Sequence, residues 1–260
     1  MPRLTDQTLI RAILETERPW TAYALADLEP VYSQHASWFG AGRGEPAIAL
    51  LYQAFDVPVL MTIGKAEHLQ SVLGEVDELL EDSPEVYIVA RSDVFSLLRE
   101  LYRLKNERMM LRMLLEQEHY NPVGTEDVKK LGPAHLNLVK CLYAEAEMEG
   151  EAPDFFLPSM LETGVYYGVQ DRGELIAIAG THVVAPTVGV GGLGNIYTRR
   201  DRRNQGLASR LTRAVTNQLL EMNLSTVVLN VRKDNRVAIQ VYEQLGFKTY
   251  CNFFEALAFR

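Results

Sequence analysis

The stretch "TRRDRRNQGLASRL", residues 198–211, concentrates side chains and backbone that could handle a charged ligand. Arg199, Arg200, Arg202 and Arg203 fall within five positions, and a Gln-Gly-Leu-Ala turn follows. Three readings compete: a nucleic-acid patch, a solvated basic face and a cradle for a phosphate. A strand pattern enters at Asn195–Thr198 and a helical pattern leaves at Leu207. The first amides of such a helix lack intrahelical acceptors and point back into the loop, where the helix dipole adds partial positive charge. Gly206 lets a ligand approach the backbone closely, Ala208 is small for the same reason, and Arg203 stands at the loop's mouth. That is an anion site, and a pyrophosphate fits it.

Charge separates the readings. The chain has 260 residues and a net charge of −8. Residues 1–120 carry 11 Lys and Arg against 19 Asp and Glu, whereas residues 121–260 carry 15 of each. Residues 196–213 hold six arginines and one aspartate, a basic island on an acidic protein. Nucleic-acid binding favours a basic balance over the whole domain and an accompanying aromatic platform, so no nucleic-acid partner is expected.

The remaining composition bounds the class. Hydrophobic residues make up 47% and charged residues 23%, as in soluble globular proteins, and the length suits two domains. No apolar run approaches the roughly 18 residues of a membrane span, and "MPRLTDQTLIRAILETE" lacks a signal-peptide core. Cys141 and Cys251 are far apart and read as reduced thiols, Cys141 in the core. A cytoplasmic protein without membrane partner is therefore expected. No His/Cys cluster has ligand spacing, so no metal is expected either.

The elements that must position the loop follow from periodicity. "EQEHYNPVGTED", residues 116–127, is polar and aperiodic and marks a boundary, giving domains 1–118 and 119–260. After it the order reads β-α-α-β-β-β-α-β-α-β. The strands are "VKKL", "GVYYGVQ", "LIAIAGTHVV", the Gly-rich "VGVGGLGNIYT", "STVVLNV" and "FKTYCNFFEALAF", the last a strand or hairpin. Leu207, Leu211, Ala214, Val215 and Leu219 share one helix face. Ala238, Val241, Tyr242 and Leu245 share another, which Gly246 stops. Glycines in "VGVGGLG" point to a bulge or a close backbone approach. The first half repeats this order from its third strand onward, as in an internal duplication. The fold class is α/β with a mixed sheet.

These motifs together resemble the GCN5-related N-acetyltransferase (GNAT) superfamily, and within it the FR47-like, glycine-acyltransferase-like branch. Arg203-Asn204-Gln205-Gly206-Leu207-Ala208 matches the family's Arg/Gln-x-x-Gly-x-Gly/Ala, and "NIYT" matches its splayed fourth strand. Asn235, Ala238, Tyr242, Gly246 and Phe247 match Asn-x-x-Ala-x-x-x-Tyr-x-x-x-Gly-Phe. The resemblance covers residues 125–260 and implies a GNAT fold there, preceded by a degenerate GNAT-like domain. It implies acetyl-CoA or another acyl-CoA as co-substrate. The amides of Asn204, Gln205, Gly206, Leu207, Ala208 and Ser209 would hold the pyrophosphate, with Arg203 beside them. The strand Ile196-Tyr197-Thr198 would pair with the pantetheine through Ile196 and Thr198. Asn235 would bond the pantetheine arm or order the site, and Tyr242 would protonate the departing thiolate. Arg199, Arg200 and Arg202 either meet the 3′-phosphate or face water.

The implied reaction is direct attack of a primary amine on the thioester in a ternary complex. The amine must lose a proton first, and the oxyanion needs a donor, for which the Thr198 amide stands ready. Many family members place a glutamate base on the fifth strand or early on the fourth; here Asn230 and Gly192 stand there. His182 is one candidate base, because histidine is the side chain whose unperturbed pKa lies near neutrality, a hydrogen-bonded sheet histidine being the competing reading. Glu145 and Glu162 lie where acceptor loops sit in such proteins, or are solvated surface carboxylates. An acyl-CoA-binding sensor or scaffold is the alternative to an enzyme. In the first half Gly64 precedes a helix, but Lys65 and Glu67 occupy the would-be cradle, so that half is expected to lack a CoA site. It remains open to cover an acceptor groove, shape specificity or form a homodimer.

Overall fold

Leu69, Val72, Leu73 and Val76 recur at helical spacing, and "AIALLY" and "VLMTI" are apolar runs of strand length, so the first half must bury a helix against a sheet. The computed structural model describes residues 3–41, 47–80, 85–125 and 127–259. Its elements begin β1 (Arg3–Leu4), α1 (Gln7–Glu15), α2 (Arg18–Ala26), α3 (Pro30–Ser33), β2 (Ala36–Ala41), β3 (Ala47–Tyr52) and β4 (Val59–Ile63). They continue with α4 (Ala66–Leu79), β5 (Glu85–Ala90), α5 (Ser92–Leu101) and β6 (Arg103–Leu115). The second half holds β7 (Lys129–Leu131), α6 (Leu136–Met148), α7 (Met160–Thr163), β8 (Tyr166–Asp171), β9 (Glu174–Ala185) and β10 (Val190–Thr198). It closes with α8 (Leu207–Glu221), β11 (Thr226–Arg232), α9 (Arg236–Gln244) and β12 (Phe247–Phe259).

The order read from the sequence after the boundary holds, and the C-terminal segment is one strand. The first half follows the same order from β1 onward, with the short α3 added, so the repeat is more complete than its sequence shows. Pairing repeats as well. β2, β3 and β4 are antiparallel neighbours and β4 runs parallel to β5; β8, β9 and β10 are antiparallel neighbours and β10 runs parallel to β11. Residues 18–41 were opaque to periodicity. α2 buries Trp20, Thr21, Ala22, Ala24, Leu25 and Ala26, so no polar face marks it as a helix.

The chain forms two compact units. One is Met1–Arg112 with Val231–Asp234 and Thr249–Arg260; the other is Met113–Asn230 with Asn235–Lys248. The division therefore departs from a linear cut at 118/119: most of β12 belongs with the first unit. There the strand order is β1-β2-β3-β4-β5-β12-β6, and Phe254–Phe259 pair antiparallel with Ala90–Glu85. Ala256 and Ala258 join the core that α4 and α5 build with Leu69, Val72, Phe95 and Leu98. On β12 Phe253 is fully buried, its ring 5.4 Å from Trp20. The buried Arg112 guanidinium lies over Trp20, Tyr23 and Phe253, at 4.4 Å from the Tyr23 ring. Such aromatic faces offset part of the cost of burying a cation.

In the second unit the order is β11-β10-β9-β8-β7. Leu131, Val139, Leu142, Leu161, Tyr166, Leu175 and Ile178 pack between α6, α7 and the sheet. α8 buries Leu207, Leu211, Ala214, Val215 and Leu219, the face read from the sequence. The boundary segment belongs to this unit: Tyr120 Oη donates to the Arg213 carbonyl at 3.0 Å. Cys141 corrects the sequence reading, because it is exposed on α6 rather than in the core. No helix among the described residues is long and apolar enough to cross a membrane.

Phe253→Ala is expected to destabilise the protein by about 3–5 kcal/mol, the range for truncating a buried aromatic. Calorimetric unfolding measures it. A loss below about 1 kcal/mol would contradict the placement of the last strand in this core.

Candidate active site

The site begins with a change of course in β10. Its parallel pairing with β11 runs only from Val190 and Thr226 to Leu193 and Leu229. Its antiparallel pairing with β9 shifts register between Gly192 and Leu193, and again between Gly194 and Tyr197. Asn195 sits in the second shift at φ 55°, a left-handed conformation that asparagine tolerates better than most residues. Beyond it Tyr197 and Thr198 still pair with Ile178 and Ala177, and the Arg199 amide donates to the Ile176 carbonyl at 3.0 Å. Strand groups alternate sides, so Ile196 and Thr198 turn their backbone groups to the opposite edge, where β10 no longer pairs with β11.

Side chains hold this bulge. Tyr143 Oη donates to the Asn195 carbonyl at 2.8 Å, and Asn195 Nδ2 donates to Tyr166 Oη at 2.7 Å. Tyr166 Oη in turn donates to the Thr181 carbonyl at 2.8 Å. His182 Nε2 lies 3.3 Å from Asn195 Oδ1, and a Cβ at Gly194 would overlap the His182 ring. Glycine is thus required by close approach, as the Gly-rich strand implied. Burial drives the Tyr143 phenol well above its ordinary range, so it stays a donor.

After Thr198 the chain makes a 3₁₀ turn at Arg200–Arg202 and enters α8 through Gly206. Gly206 is at φ 72°, Asn204 at φ 60°, and a Cβ on Gly206 would meet nothing within 4 Å. No side chain caps the helix, and its first turn holds no acidic residue. The Arg210 amide donates to the Gly206 carbonyl at 3.1 Å, so Leu207, Ala208 and Ser209 precede the first repeating bond. Asn204, Gln205 and Gly206 are exposed, while Leu207 anchors the helix in the core. By contrast α4 opens at Lys65, after Gly64 at φ 104°, with Glu67 in its first turn.

The other residues singled out by sequence fall as follows. Tyr197 is buried and donates to Glu149 Oε2 at 2.8 Å; burial, with Glu149 beside it, raises its pKa to about 12. Arg203 pairs with Glu151, donates from Nε to the Thr198 carbonyl at 3.1 Å and lies over the Tyr197 ring. The cluster does not simply face water. Arg199 pairs with Asp201 and Glu174, Arg200 with Glu149 and Glu151, and Arg202 with Asp171. Asn235 is the N-cap of α9, its Oδ1 accepting from the Ala238 amide at 3.1 Å. Tyr242 is buried on α9, 6.3 Å from the Phe247 ring, and burial raises its phenol well above the ordinary value. Gly192 is buried within the paired part of β10. Asn230 is the first residue of β11 past the last paired rung; its Oδ1 and Thr198 Oγ1 are buried without hydrogen-bond partners among the described residues. A buried polar atom without a partner carries a desolvation cost that a ligand or water would relieve. Glu162 is exposed on α7 and Glu145 half-buried on α6. The sequence reading missed Tyr143, Tyr166, Asn195, Glu149 and Glu151; only Gly194-Asn195, a pair suited to unusual backbone, offered a local signal.

The parallel pair of this mixed sheet parts beside a helix that opens at a glycine, an arrangement whose free backbone groups suit an anionic, strand-like ligand. Residues 134–247 match the model of the Acetyltransferase (GNAT) family, and the mixed α/β fold of this part of the chain is the GNAT fold. One relative, the mycothiol acetyltransferase of Streptomyces avermitilis, is 37% identical over 88 residues, which are 33% of this chain and 27% of that protein. The uncharacterized N-acetyltransferase YobR of Bacillus subtilis is 22% identical over 204 residues, 76% of this chain and 72% of that one. A solved GNAT-family structure from Novosphingobium aromaticivorans superposes with a TM-score of 0.66 at 20% identity, covering 94% of this chain and 98% of its own. That likeness bears on the fold.

Gly206→Glu brings a carboxylate to the open side of the α8 amides and strains a left-handed position by roughly 1–2 kcal/mol. The variant should stay folded and bind coenzyme A at least about tenfold more weakly by calorimetry. Unchanged affinity would refute this location of the anion site.

Proposed function

We propose that the protein is a cytoplasmic acyl-CoA-dependent N-acyltransferase of the FR47-like branch, moving an acetyl group from acetyl-CoA to a primary amine. The observation that carries this reading is the uncapped, glycine-opened N-terminus of α8 directly following a strand edge that has left its neighbour. The residues present fit the co-substrate's parts. The amides of Asn204 to Ser209 suit the pyrophosphate, and the edge of Ile196 and Thr198 suits an amide-bearing pantetheine that adds like a strand. Bound there, acetyl-CoA would supply an acyl group activated as a thioester.

The chain's own groups do the rest. The Thr198 amide offers a donor at the open edge, where a developing oxyanion needs one. Tyr242 keeps its proton across the neutral range because it is buried, the form a general acid needs before it acts. The same burial makes it a reluctant donor, so transfer waits until negative charge builds beside it. Asn235 fixes the start of α9 and so the position of Tyr242, about two helical turns later. In the first unit, Glu67 in the first turn of α4 opposes an anion, which supports a domain without a CoA site. The acceptor of the Streptomyces relative is not carried over, because the shared segment is a minor part of that protein.

A second reading, a sensor or scaffold that binds acyl-CoA without turnover, is favoured by one observation: Asn230 and Gly192 stand where a carboxylate base is expected. Thiol release from acetyl-CoA against a panel of amines, amino acids and peptides separates the two, because only an enzyme releases thiol with an acceptor.

Acetyl-CoA at a hundredfold excess over its Kd should stabilise the protein by about 2.7 kcal/mol and raise Tm; no shift at millimolar ligand would sink both readings. Tyr242→Phe is expected to lower kcat by about 100-fold or more while CoA affinity changes less than about twofold. Wild-type turnover in that variant would remove Tyr242 from the acid role.

A further inference from the structure

Four arginines beside the anion site make it look ready for phosphate, yet their guanidiniums already have carboxylate partners. For Arg200 and Arg203 the partners lie on the segment that leaves α6. Glu149 Oε2 accepts from Tyr197 Oη at 2.8 Å and lies 3.1 Å from Arg200 Nε. The Glu149 carbonyl accepts from Arg200 Nη2 at 3.1 Å. Glu151 takes Arg200 Nη2 on Oε1 at 2.9 Å and Arg203 Nη2 on Oε2. Arg203 in turn covers the Thr198 carbonyl, on the very edge that the site leaves open. The Arg203 pair, first among several contacts, pulls the Glu151 carboxyl below the usual carboxylate range. Downstream on the same segment, Phe156 packs at 5.1 Å from the Tyr143 ring and 6.3 Å from the Tyr166 ring, the two phenols that hold the Asn195 bulge.

We propose that Glu151 is a specificity-determining residue: its carboxylate occupies the Arg203 guanidinium in place of a phosphate, and a phosphate-bearing donor must displace it. Displacement releases Glu151 from Arg203 Nη2 and loosens residues 150–158 from the arginines. A donor without phosphates, such as pantetheine, has nothing to exchange for Glu151 and leaves the segment closed. The proposal rests on the cofactor reading of the α8 site and adds to it a reason for discriminating between donors. An exposed ion pair contributes between zero and about 1 kcal/mol, so its removal has a bounded effect of up to about fivefold on affinity.

The test is calorimetric titration of coenzyme A into the wild type, Glu151→Gln and Glu147→Gln at one ionic strength. Glu147 lies exposed near the end of α6 and controls for the loss of one negative charge. Glu151→Gln should bind about three- to fivefold more tightly and Glu147→Gln within about 1.5-fold of wild type. Equal tightening in both variants, or none in Glu151→Gln, overturns the proposal. Hydrogen exchange gives the second readout. Coenzyme A should speed exchange over residues 150–158 of the wild type, pantetheine should not, and Glu151→Gln should exchange fast before any addition. Coenzyme A binding with unchanged exchange there sinks this proposal alone; no binding by the wild type sinks the cofactor reading together with it.

Discussion

Everything at the site depends on the parting of β10 from β11 after Leu193 and Leu229. A parallel pair in mid-sheet satisfies its backbone groups on both sides; breaking it leaves donors and acceptors that something else must meet. Here the break is imposed by Asn195 in the left-handed region, with Gly194 pressed against His182. A left-handed non-glycine residue costs free energy and persists only where its surroundings over-determine it. Tyr143, Tyr166 and His182 do so from α6, β8 and β9. The buried polar network and the open edge are therefore one feature.

The same economy separates the two halves. Both have the order that can place a helix N-terminus after the strand that runs parallel to its next neighbour. In the first half that terminus carries Lys65 and Glu67; in the second it carries Gly206 and no acid in the first turn. Backbone dipoles are alike in both, so the side chains decide whether an anion is welcome. The two halves thus share an order of elements and a pairing pattern, and differ in the side chains at this helix terminus.

Much of this was legible in the sequence, for a physical reason. Gly206 and Asn235 act on backbone within four residues of themselves, so their motifs are local, and the helical face from Leu207 to Leu219 follows from spacing alone. What was not legible acts at a distance. Glu149, Glu151, Asp171 and Glu174 neutralise arginines some 25 to 52 residues away, so "RRDRR" overstated the free positive charge. β12 pairs with β5 more than 160 residues earlier, which no linear boundary reveals. α2, buried nearly all round, has no polar face to announce it. Cys141 reads as a small core residue, yet the turn of α6 leaves it exposed.

On the proposed function, the α8 N-terminus and the open edge of β10 together hold a phosphate-bearing thioester. Backbone amide resonances followed by heteronuclear NMR during titration with acetyl-CoA test it most directly. The largest changes are expected at the Leu207, Ala208 and Ser209 amides and at Ile196 and Thr198, with Gly64 to Glu67 unmoved. Changes centred on Gly64 to Glu67, or none at the α8 amides on saturation, would contradict it.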